Sequence, residues 1–448
     1  MLPLLASLLL AQTTPPAPPK EYLRPQEVRS LPGALDSVPV FNSNSPELVL
    51  NEGILLSTFP PMGMKVPSVH LNYAFEGRFD LFSHHIAKGS EKDLRTLYTA
   101  VIVHNPGNKP VTIDLMQSAS YLSQPDAPFI DLPPVQENND GKVFSGPGGR
   151  AGSELLRPQA QTLIPPVLVI PPGENRLLFN LPIPVKTLSP PLNGRSTMQR
   201  LRSTGKVYLA SLALFAKTDA QGNETPPELA DWETLLKNAD RSVPRDKTPT
   251  PIEQKKGNLI YSRVGGVSSG ATWRGLVTDP GESSLAIPAE GKAISFGIAT
   301  LHRGDLGTGQ NQSAVMLERY PDTSYQAHGN YAVQYNLSLP LLNKSEKVKT
   351  VVVTIESPVK KENPQEGLYF FNPLPKAAVF RGTVRFRYSD DYGMPQTEYF
   401  HLVQRRGQEG SELIKLKLQP NSKRTVKVDL IYPPDATPPQ VLTVKTLD

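Results

Sequence analysis

Residues 413–431 have the sequence Leu-Ile-Lys-Leu-Lys-Leu-Gln-Pro-Asn-Ser-Lys-Arg-Thr-Val-Lys-Val-Asp-Leu-Ile, which is two apolar–polar alternations around a Gln-Pro-Asn-Ser turn. Ile414, Leu416 and Leu418 fall on one face of an extended chain, because successive side chains of a strand point to opposite sides. The lysines between them fall on the other face. The stretch therefore predicts a β-hairpin that is buried on one face and solvated on the other.

The same strand–turn–strand pattern recurs at 99–116 and at 167–181, and each instance predicts a further hairpin in the chain of 448 residues. The 47 prolines and 32 glycines are too many for a helical bundle, because proline removes a backbone donor and clashes inside a helix. A hydrophobic content of 38% is sufficient for packed cores. The predicted fold class is all-β, with two antiparallel β-sandwich domains of the immunoglobulin-like kind.

One short helix is predicted between the two sheet regions, over residues 226–239. Thr225-Pro-Pro-Glu228 has the spacing of a capping box with proline in the first turn, and Trp232 and Leu236 follow on one apolar face. Because this helix does not alternate with strands, a parallel α/β architecture has little support.

The order of these segments predicts an internal duplication. A strand, a turn with asparagine and lysine, and an apolar strand occur at 98–118 and again at 331–357. Two strands around a proline-centred turn occur at 166–181 and again at 413–432. The alternative is chance similarity between simple strand–turn–strand segments.

The beginning of the chain predicts export. Residues 2–11 form an uncharged apolar run that is too short to span a membrane but fits a secretory signal peptide. The proline-rich residues after it form a stiff spacer, and the polar segment 241–257 is the predicted domain boundary. The expected division is a signal peptide at 1–11, a Pro-rich linker at 12–30, an N-terminal domain at 31–240, a linker at 241–257 and a C-terminal domain at 258–448.

Charge and composition narrow the classes of partner. A net charge of +5 is small for a nucleic-acid-binding protein, but it could favour loose association with an anionic cell-wall or surface polysaccharide. No cysteine is present, which excludes disulfides and thiolate metal sites, and no later apolar run is long enough for a transmembrane helix. The expected location is the periplasm or the cell surface.

Several strings resemble a known family, the cyanobacterial exported proteins grouped as domain of unknown function 3370. The strings are Val-Pro-Val-Phe-Asn-Ser-Asn-Ser-Pro at 38–46, Gly-Ile-Leu-Leu-Ser-Thr-Phe-Pro-Pro-Met-Gly at 53–63, Phe-Glu-Gly-Arg-Phe-Asp-Leu-Phe-Ser-His-His-Ile-Ala-Lys-Gly at 75–89, and the segments 319–335 and 428–444. The resemblance covers nearly the whole mature chain. It implies a cyanobacterial envelope location and no activity.

The polar segments 302–309 and 319–330 are predicted to form a long ordered loop, which is the candidate ligand site. Binding residues are often carried on loops that a rigid sheet scaffold positions. The alternative is a simple connection between sheets, in which Arg319 pairs with Asp322. The candidate ligand-binding residues are His302, Arg303, Asp305, Arg319, Asp322 and His328.

A metal site is a weaker hypothesis, for which Asp80, His84 and His85 are the candidates. Neighbouring residues of a strand face opposite ways, so His84 and His85 cannot easily bind one ion. We therefore expect a structural histidine pair, with neither metal nor cofactor.

Two serine motifs have simpler structural explanations. Gly266-Val-Ser-Ser-Gly270 matches the nucleophile-elbow pattern, but a strand rather than a helix is predicted after it. Ser357-Pro-Val-Lys360 has the Ser-x-x-Lys spacing, but it follows a strand and contains proline. We expect a glycine-rich turn and a strand exit, respectively.

The C-terminal hairpin is predicted to carry a basic face, which could bind an anionic glycan or protect a sheet edge from wrong pairing. The basic residues are Lys415, Lys417, Lys423, Arg424 and Lys427.

The sequence favours a non-enzymatic exported envelope protein that binds or scaffolds a cell-wall glycan, a surface glycan or a partner protein. One alternative is an envelope hydrolase with a site on a loop. Another is an export or assembly helper that adds a β-strand to its partner, for which a long apolar edge strand would be evidence. An aromatic cleft near Tyr320, Tyr325 and Tyr331 would favour glycan binding.

Overall fold

β-Strands are the main secondary structure of the protein. The computed structural model describes residues 18–158, 161, 164–254, 256–361 and 366–447. The all-β prediction is confirmed at the level of a mostly β protein with several sheets. The predicted signal peptide at 1–11 and the first part of the predicted linker, 12–17, lie outside the described residues. Among the residues that are described, no helix has both the length and the apolar character needed to cross a bilayer.

The strands of the described chain are β1 (Lys20–Pro25), β2 (Glu27–Arg29), β3 (Ala34–Leu35), β4 (Pro39–Ser43), β5 (Leu48–Val49), β6 (Gly53–Ser57), β7 (Phe75–Lys88), β8 (Leu97–His104), β9 (Val111–Leu122), β10 (Val135–Glu137), β11 (Val167–Ile170), β12 (Asn175–Ile183), β13 (Leu192–Phe215), β14 (Lys217–Thr218), β15 (Glu224–Thr225), β16 (Gly265–Ser269), β17 (Thr272–Leu276), β18 (Leu285–Ala286), β19 (Ala293–Ile298), β20 (Ala314–Arg319), β21 (Gln326–Ala327), β22 (Gln334–Leu342), β23 (Lys349–Glu356), β24 (Gly367–Asn372), β25 (Ala378–Ser389), β26 (Pro395–Arg405), β27 (Ile414–Leu418), β28 (Lys423–Ile431) and β29 (Gln440–Thr446). The helices are α1 (Pro147–Leu155), α2 (Leu229–Asn238) and a 3-10 turn, Pro67–Val69.

Three large sheets contain most of these strands. A twelve-stranded sheet has the main order β11-β9-β13-β7-β4-β16-β20-β21, with β5, β6, β8 and β12 paired at its side. An eight-stranded sheet has the order β10-β26-β25-β28-β22-β17-β3 with β18 beside β22, and a five-stranded sheet has the order β2-β19-β29-β23-β27. The pairs β1–β24 and β14–β15 form separate ribbons.

The three predicted hairpins are wrong in their pairing, although their strands are present. In the stretch 413–431, β27 pairs with β23 of the five-stranded sheet, whereas β28 pairs with β22 and β25 of the eight-stranded sheet. Alternation fixes which side chains are buried but not which strand is the neighbour. The turn at 419–422 therefore carries the chain from one sheet to another, and the basic residues of β27 and β28 do not share one face of a hairpin.

The segments of the predicted duplication have the same strand pairing in the two halves of the chain. In the N-terminal copy, β8 pairs with β12 and β9 pairs with β11. In the C-terminal copy, β22 pairs with β28 and β23 pairs with β27. In both halves the strand before the first turn pairs with the strand after the second turn, and the strand after the first turn pairs with the strand before the second. The two sets of segments therefore have the same antiparallel arrangement.

A shared apolar core lies between the five-stranded and the eight-stranded sheets. Alternate strand positions from both layers meet there, as the period of two requires. Members of this core are Phe296, Val353 and Leu416 from the five-stranded sheet, and Tyr335, Phe386 and Val428 from the eight-stranded sheet.

Helix α2 begins at Leu229, three residues later than predicted, and its capping box is made by Glu228 and Asp231. Helix α1 was not predicted, because its sequence Pro-Gly-Gly-Arg-Ala-Gly-Ser-Glu-Leu is rich in a poor helix former. Its glycines permit close approach to a neighbouring loop: a Cβ on Gly148 would lie 2.2 Å from the Pro434 side chain. The helix packs against β9 and β13 on one side and against β25 and β28 on the other.

Strands from both sides of the predicted linker 241–257 occur in the same sheets. The twelve-stranded sheet contains β16, β20 and β21, whereas β2, β3 and β10 belong to the five-stranded and eight-stranded sheets. Residues 20–25 and 27–29, inside the predicted Pro-rich linker, form β1 and β2. The division of the chain into two domains stays a prediction. The junction of the two halves is where the candidate site lies.

Candidate functional site

Three of the six candidate ligand-binding residues line one cavity of about 280 Å³: His302, Arg303 and His328. The first two follow β19, in a turn closed by a β-bridge between Leu301 and Gly304. The third follows β21. Tyr325 contributes an aromatic ring to the same wall. This volume is close to the lower limit of about 300 Å³ for typical ligand pockets.

Another wall of this first cavity is built by residues 249–252, 254 and 259–261. The Thr250 backbone N–H donates to the Ile260 carbonyl at 2.9 Å, and the Ile260 N–H donates to Thr250 Oγ1, also at 2.9 Å. These two bonds close a loop that presents Ile252 to the cavity beside Tyr261. The Arg303 backbone N–H donates to the Tyr261 hydroxyl at 3.2 Å, which joins the two walls.

The rings of Tyr261 and His328 are in contact, with centroids 4.3 Å apart and planes at 47°. Both residues also line a second cavity of about 440 Å³. His328 Nδ1 lies 3.3 Å from Ser313 Oγ, and burial lowers the pKa of the His328 imidazole to about 4. Near pH 7 the ring between the cavities is therefore neutral. We call the two cavities together the Tyr261–His328 cleft.

The second cavity lies at the junction of the two halves of the chain. Asn44, Glu47 and His84 line it from the N-terminal half, and Arg263 and Lys360 line it from the C-terminal half. The elements meet through backbone bonds, since the N–H of Asn44, directly after β4, donates to the Val264 carbonyl at 3.0 Å.

A polar network forms one side of the second cavity. His84 Nε2 lies 3.4 Å from the Glu47 carboxylate, which also pairs with Arg263. The guanidinium of Arg263 reaches a second carboxylate, Asp246, at 2.8 Å. The hydrogen bond from His84, together with the charge of Arg263, lowers the pKa of the Glu47 carboxyl to about 2 despite its partial burial. Glu47 is therefore ionised at neutral pH and is not suited to act as a general acid.

Ser196, His84 and Glu47 lie in a row that has the composition of a catalytic triad. Ser196 Oγ is 2.8 Å from His84 Nδ1. However, Ser196 is fully buried in β13, where it is paired on one side with β7 and on the other with β9. A nucleophile must reach its substrate, so we assign this row a structural role.

The other three candidate ligand-binding residues do not line the cleft. Arg319 covers the ring of Tyr325, with its guanidinium carbon 3.8 Å from the centroid. Asp322 points elsewhere and accepts from Arg241 at 2.7 Å and Arg245 at 2.9 Å, so Arg319 and Asp322 are not partners. Asp305 Oδ1 accepts from a backbone N–H in its own turn.

The metal candidates are dispersed. Asp80 pairs with Arg78, and His84 belongs to the network above. His85, on the opposite face of β7, contacts Ser43 Oγ at 3.0 Å and the Pro46 carbonyl at 2.8 Å. Within the part of the chain that the structure describes, no three His, Asp or Glu side chains lie close enough to hold a metal ion.

The serine motifs are parts of the β framework. Ser268, the centre of the predicted nucleophile-elbow pattern, is buried in β16. Ser357 is buried at the end of β23, and its hydroxyl donates to Gln404 Oε1 at 2.9 Å. Neither serine is placed as a nucleophile.

Sequence analysis missed Asn44, Glu47, Tyr261, Arg263 and Lys360 as residues of the cleft. A signal for Asn44 was present, because it lies in one of the strings, 38–46, that carry the family resemblance. Tyr320, which was expected near an aromatic cleft, is instead buried, and its hydroxyl donates to the Val69 carbonyl at 2.7 Å.

A family model with the description "Protein of unknown function (DUF3370)" matches residues 26–446. The chain belongs to the DUF3370 family. Both walls of the Tyr261–His328 cleft of this DUF3370 chain lie inside the matched region. No protein with a curated description matches the sequence.

Two solved structures were compared with this DUF3370 chain. The crystal structure of Lac15 from a marine microbial metagenome is 10% identical, over 80% of this chain and 50% of that chain, with a TM-score of 0.09. Procruciferin, an 11S globulin from Brassica napus, is 11% identical, over 93% of this chain and 84% of that chain, with a TM-score of 0.10. These TM-scores carry no argument about fold or function.

Proposed function

We propose that the protein is a non-enzymatic binding protein of the cell envelope and that its Tyr261–His328 cleft holds a saccharide. The observation that carries this proposal is the composition of the first cavity. The rings of Tyr261, Tyr325 and His328 line it together with the side-chain amides of Gln254 and Gln326.

This combination suits a sugar for physical reasons. Aromatic rings offer rigid apolar surface to the C–H faces of a pyranose, and side-chain amides both donate to and accept from its hydroxyls. A cavity open on one side allows a chain to enter and leave without a conformational change. Arg319 holds one face of Tyr325, which fixes the orientation of that ring.

Two alternatives have weaker support. A hydrolase with a site on a loop needs an accessible nucleophile or an available acid, whereas Ser196 is buried and Glu47 is held as an anion by its partners. A helper that acts by strand addition needs a long open edge. The edge strand β11 has four residues and is bracketed by Pro165-Pro166 and Pro171-Pro172, and the nine-residue edge strand β12 contains Pro182, which lacks a backbone donor.

The proposal also includes the cellular location of the protein and the type of its β-sandwich units. An apolar N-terminal run of the signal-peptide type supports export to the periplasm or cell surface. The resemblance described above supports a cyanobacterial envelope. The repeated strand arrangement supports two related sandwich units of the immunoglobulin-like kind. The partners would be a cell-wall or surface glycan, with an anionic polysaccharide favoured by the net charge of +5.

The proposal is tested by native electrophoresis of the purified chain at low salt in gels that contain glycol chitin, hydroxyethyl cellulose or polygalacturonate. We expect retardation in at least one gel. Tyr325→Ala should abolish the retardation, and Tyr392→Ala, which removes a 93% exposed tyrosine far from the cleft in sequence, should not. Unretarded migration in all three gels would overturn the proposal.

A further inference from the structure

The second cavity differs in character from the first. Its lining contains charged and polar groups from several separate segments, among them Asn44, Glu47, Arg263 and Lys360. The carboxylate of Glu47 is already paired with Arg263 and close to His84. The cavity therefore offers hydrogen-bonding groups in fixed positions rather than one unbalanced charge.

Asn44 supplies an independent sign of a missing partner. It is 5% exposed, and its Oδ1 accepts no hydrogen bond from any described residue. A buried amide oxygen without a donor costs free energy unless a water or ligand group meets it. A sugar hydroxyl can satisfy either end, because it both donates and accepts.

The two cavities are joined by the residues they share. Tyr261 and His328 line both of them, and the two rings are in contact with each other. A ligand that occupies both cavities therefore lies against this ring pair. A single sugar fills only one of them.

We infer that the two cavities are consecutive subsites for one oligosaccharide chain, with one sugar among the rings of the first cavity and the next one bonded by Asn44 in the second. This inference rests on the proposed function and specifies its ligand: a chain of at least two linked sugars rather than a monosaccharide. The polar subsite adds affinity only to ligands long enough to pass Tyr261 and His328.

The test is a calorimetric titration of the intact protein with oligomers of N-acetylglucosamine, of glucose in the cellulose series and of galacturonic acid, each with one, two and four units. In any series that binds, affinity should rise at least about tenfold from one unit to four. Equal affinity for one and four units would overturn the inference. Retardation in a polysaccharide gel without binding of any four-unit chain would overturn the inference and leave the proposed function standing.

A variant pair isolates the second cavity. Asn44→Leu should lower affinity for the four-unit chain about fivefold and leave the affinity for one unit unchanged. Asn42→Leu is the matched control, because Asn42 lies two residues earlier, is 4% exposed and also has an unpartnered Oδ1, but lines a different cavity. An equal loss in both variants, or a loss at every ligand length, would contradict the inference. Circular dichroism and thermal unfolding of both variants show whether the fold is retained.

Discussion

Asn105 and Asn343 occupy the same position in the two copies of the repeated strand arrangement. Asn105 Nδ2 donates to the carbonyl of Lys109, four residues ahead, at 2.7 Å and to that of Ile170, the last residue of β11, at 2.9 Å. Asn343 Nδ2 donates to the carbonyl of Lys347, again four residues ahead, at 2.8 Å and to that of Leu418, the last residue of β27, at 3.0 Å. One buried amide thus ties two turns together in each half.

Replacing either of these asparagines should therefore destabilise the fold. Asn105→Ala or Asn343→Ala leaves buried carbonyls without donors, which we expect to lower the free energy of unfolding by about 1–3 kcal/mol. Asn108→Ala, an exposed position in the first of these turns, is the control and should change stability by less than about 0.5 kcal/mol. Urea unfolding followed by circular dichroism measures all three. Similar values for Asn105→Ala and Asn108→Ala would show that the buried amide has no structural role.

The network around Glu47 predicts an acid-sensitive contribution to stability. Its folded-state pKa of about 2 lies below the ordinary 4.5, so the unfolded chain binds the proton first as pH falls. The stabilisation is complete above ~pH 5, and it is lost as pH falls towards 2. Glu47→Gln should lower the free energy of unfolding at pH 7 by about 2 kcal/mol and have a smaller effect at pH 3. The measurement is urea unfolding at both pH values.

An exposed carboxylate is the control for this network. Glu282→Gln should leave the unfolding free energy nearly unchanged at both pH values, since Glu282 lies at the surface. If Glu47→Gln had the same effect at pH 3 as at pH 7, the link between the Glu47 charge and stability would be refuted.

His401 predicts a second titration, at higher pH. Burial lowers the pKa of the His401 imidazole to about 4, and its Nε2 accepts from the Ser145 backbone N–H at 3.1 Å. Below the ordinary value of 6.5, the unfolded chain is protonated at this residue while the folded chain is not. Stability should therefore fall as pH decreases from about 6.5 to 4.

Two variants test whether His401 contributes to this pH dependence of stability. His401→Gln should reduce the pH dependence of the unfolding free energy between pH 6.5 and ~4 by the share of one histidine, as measured by denaturation at several pH values. Burial also lowers the pKa values of His70, His85 and His328 to about 4, so part of the slope should remain. Asn108→Ala changes an exposed residue without a titratable group and should leave the slope as it is in the unmodified protein. An unchanged slope in His401→Gln would contradict the assignment.

Local sequence patterns predicted the strands well but not their partners. Ile414, Leu416 and Leu418 are buried and Lys415 and Lys417 exposed, as alternation requires. The neighbours of β27 and β28 depend on packing between layers, which a period of two does not contain. The Gly-rich sequence of α1 gave no helix signal, because that helix is stabilised by close packing against Pro434 and the strands around it.

The same limit applies to the cleft. His302, Arg303 and His328 could be grouped from sequence because they lie in two polar segments, 302–309 and 319–330, that are close together in the chain. Asn44 and His84 are more than 200 residues away from them in sequence and reach the cleft only because the halves share sheets. Tertiary contacts of this kind leave no periodic pattern in the local sequence from which they could be predicted.

The central claim is that the Tyr261–His328 cleft is the place where a saccharide binds, and a crystal structure of the protein with a four-unit oligosaccharide tests it most directly. We predict sugar density against Tyr325 in the first cavity that continues past His328 to Asn44 in the second. Density confined to another surface, with both cavities holding only solvent, would contradict the account.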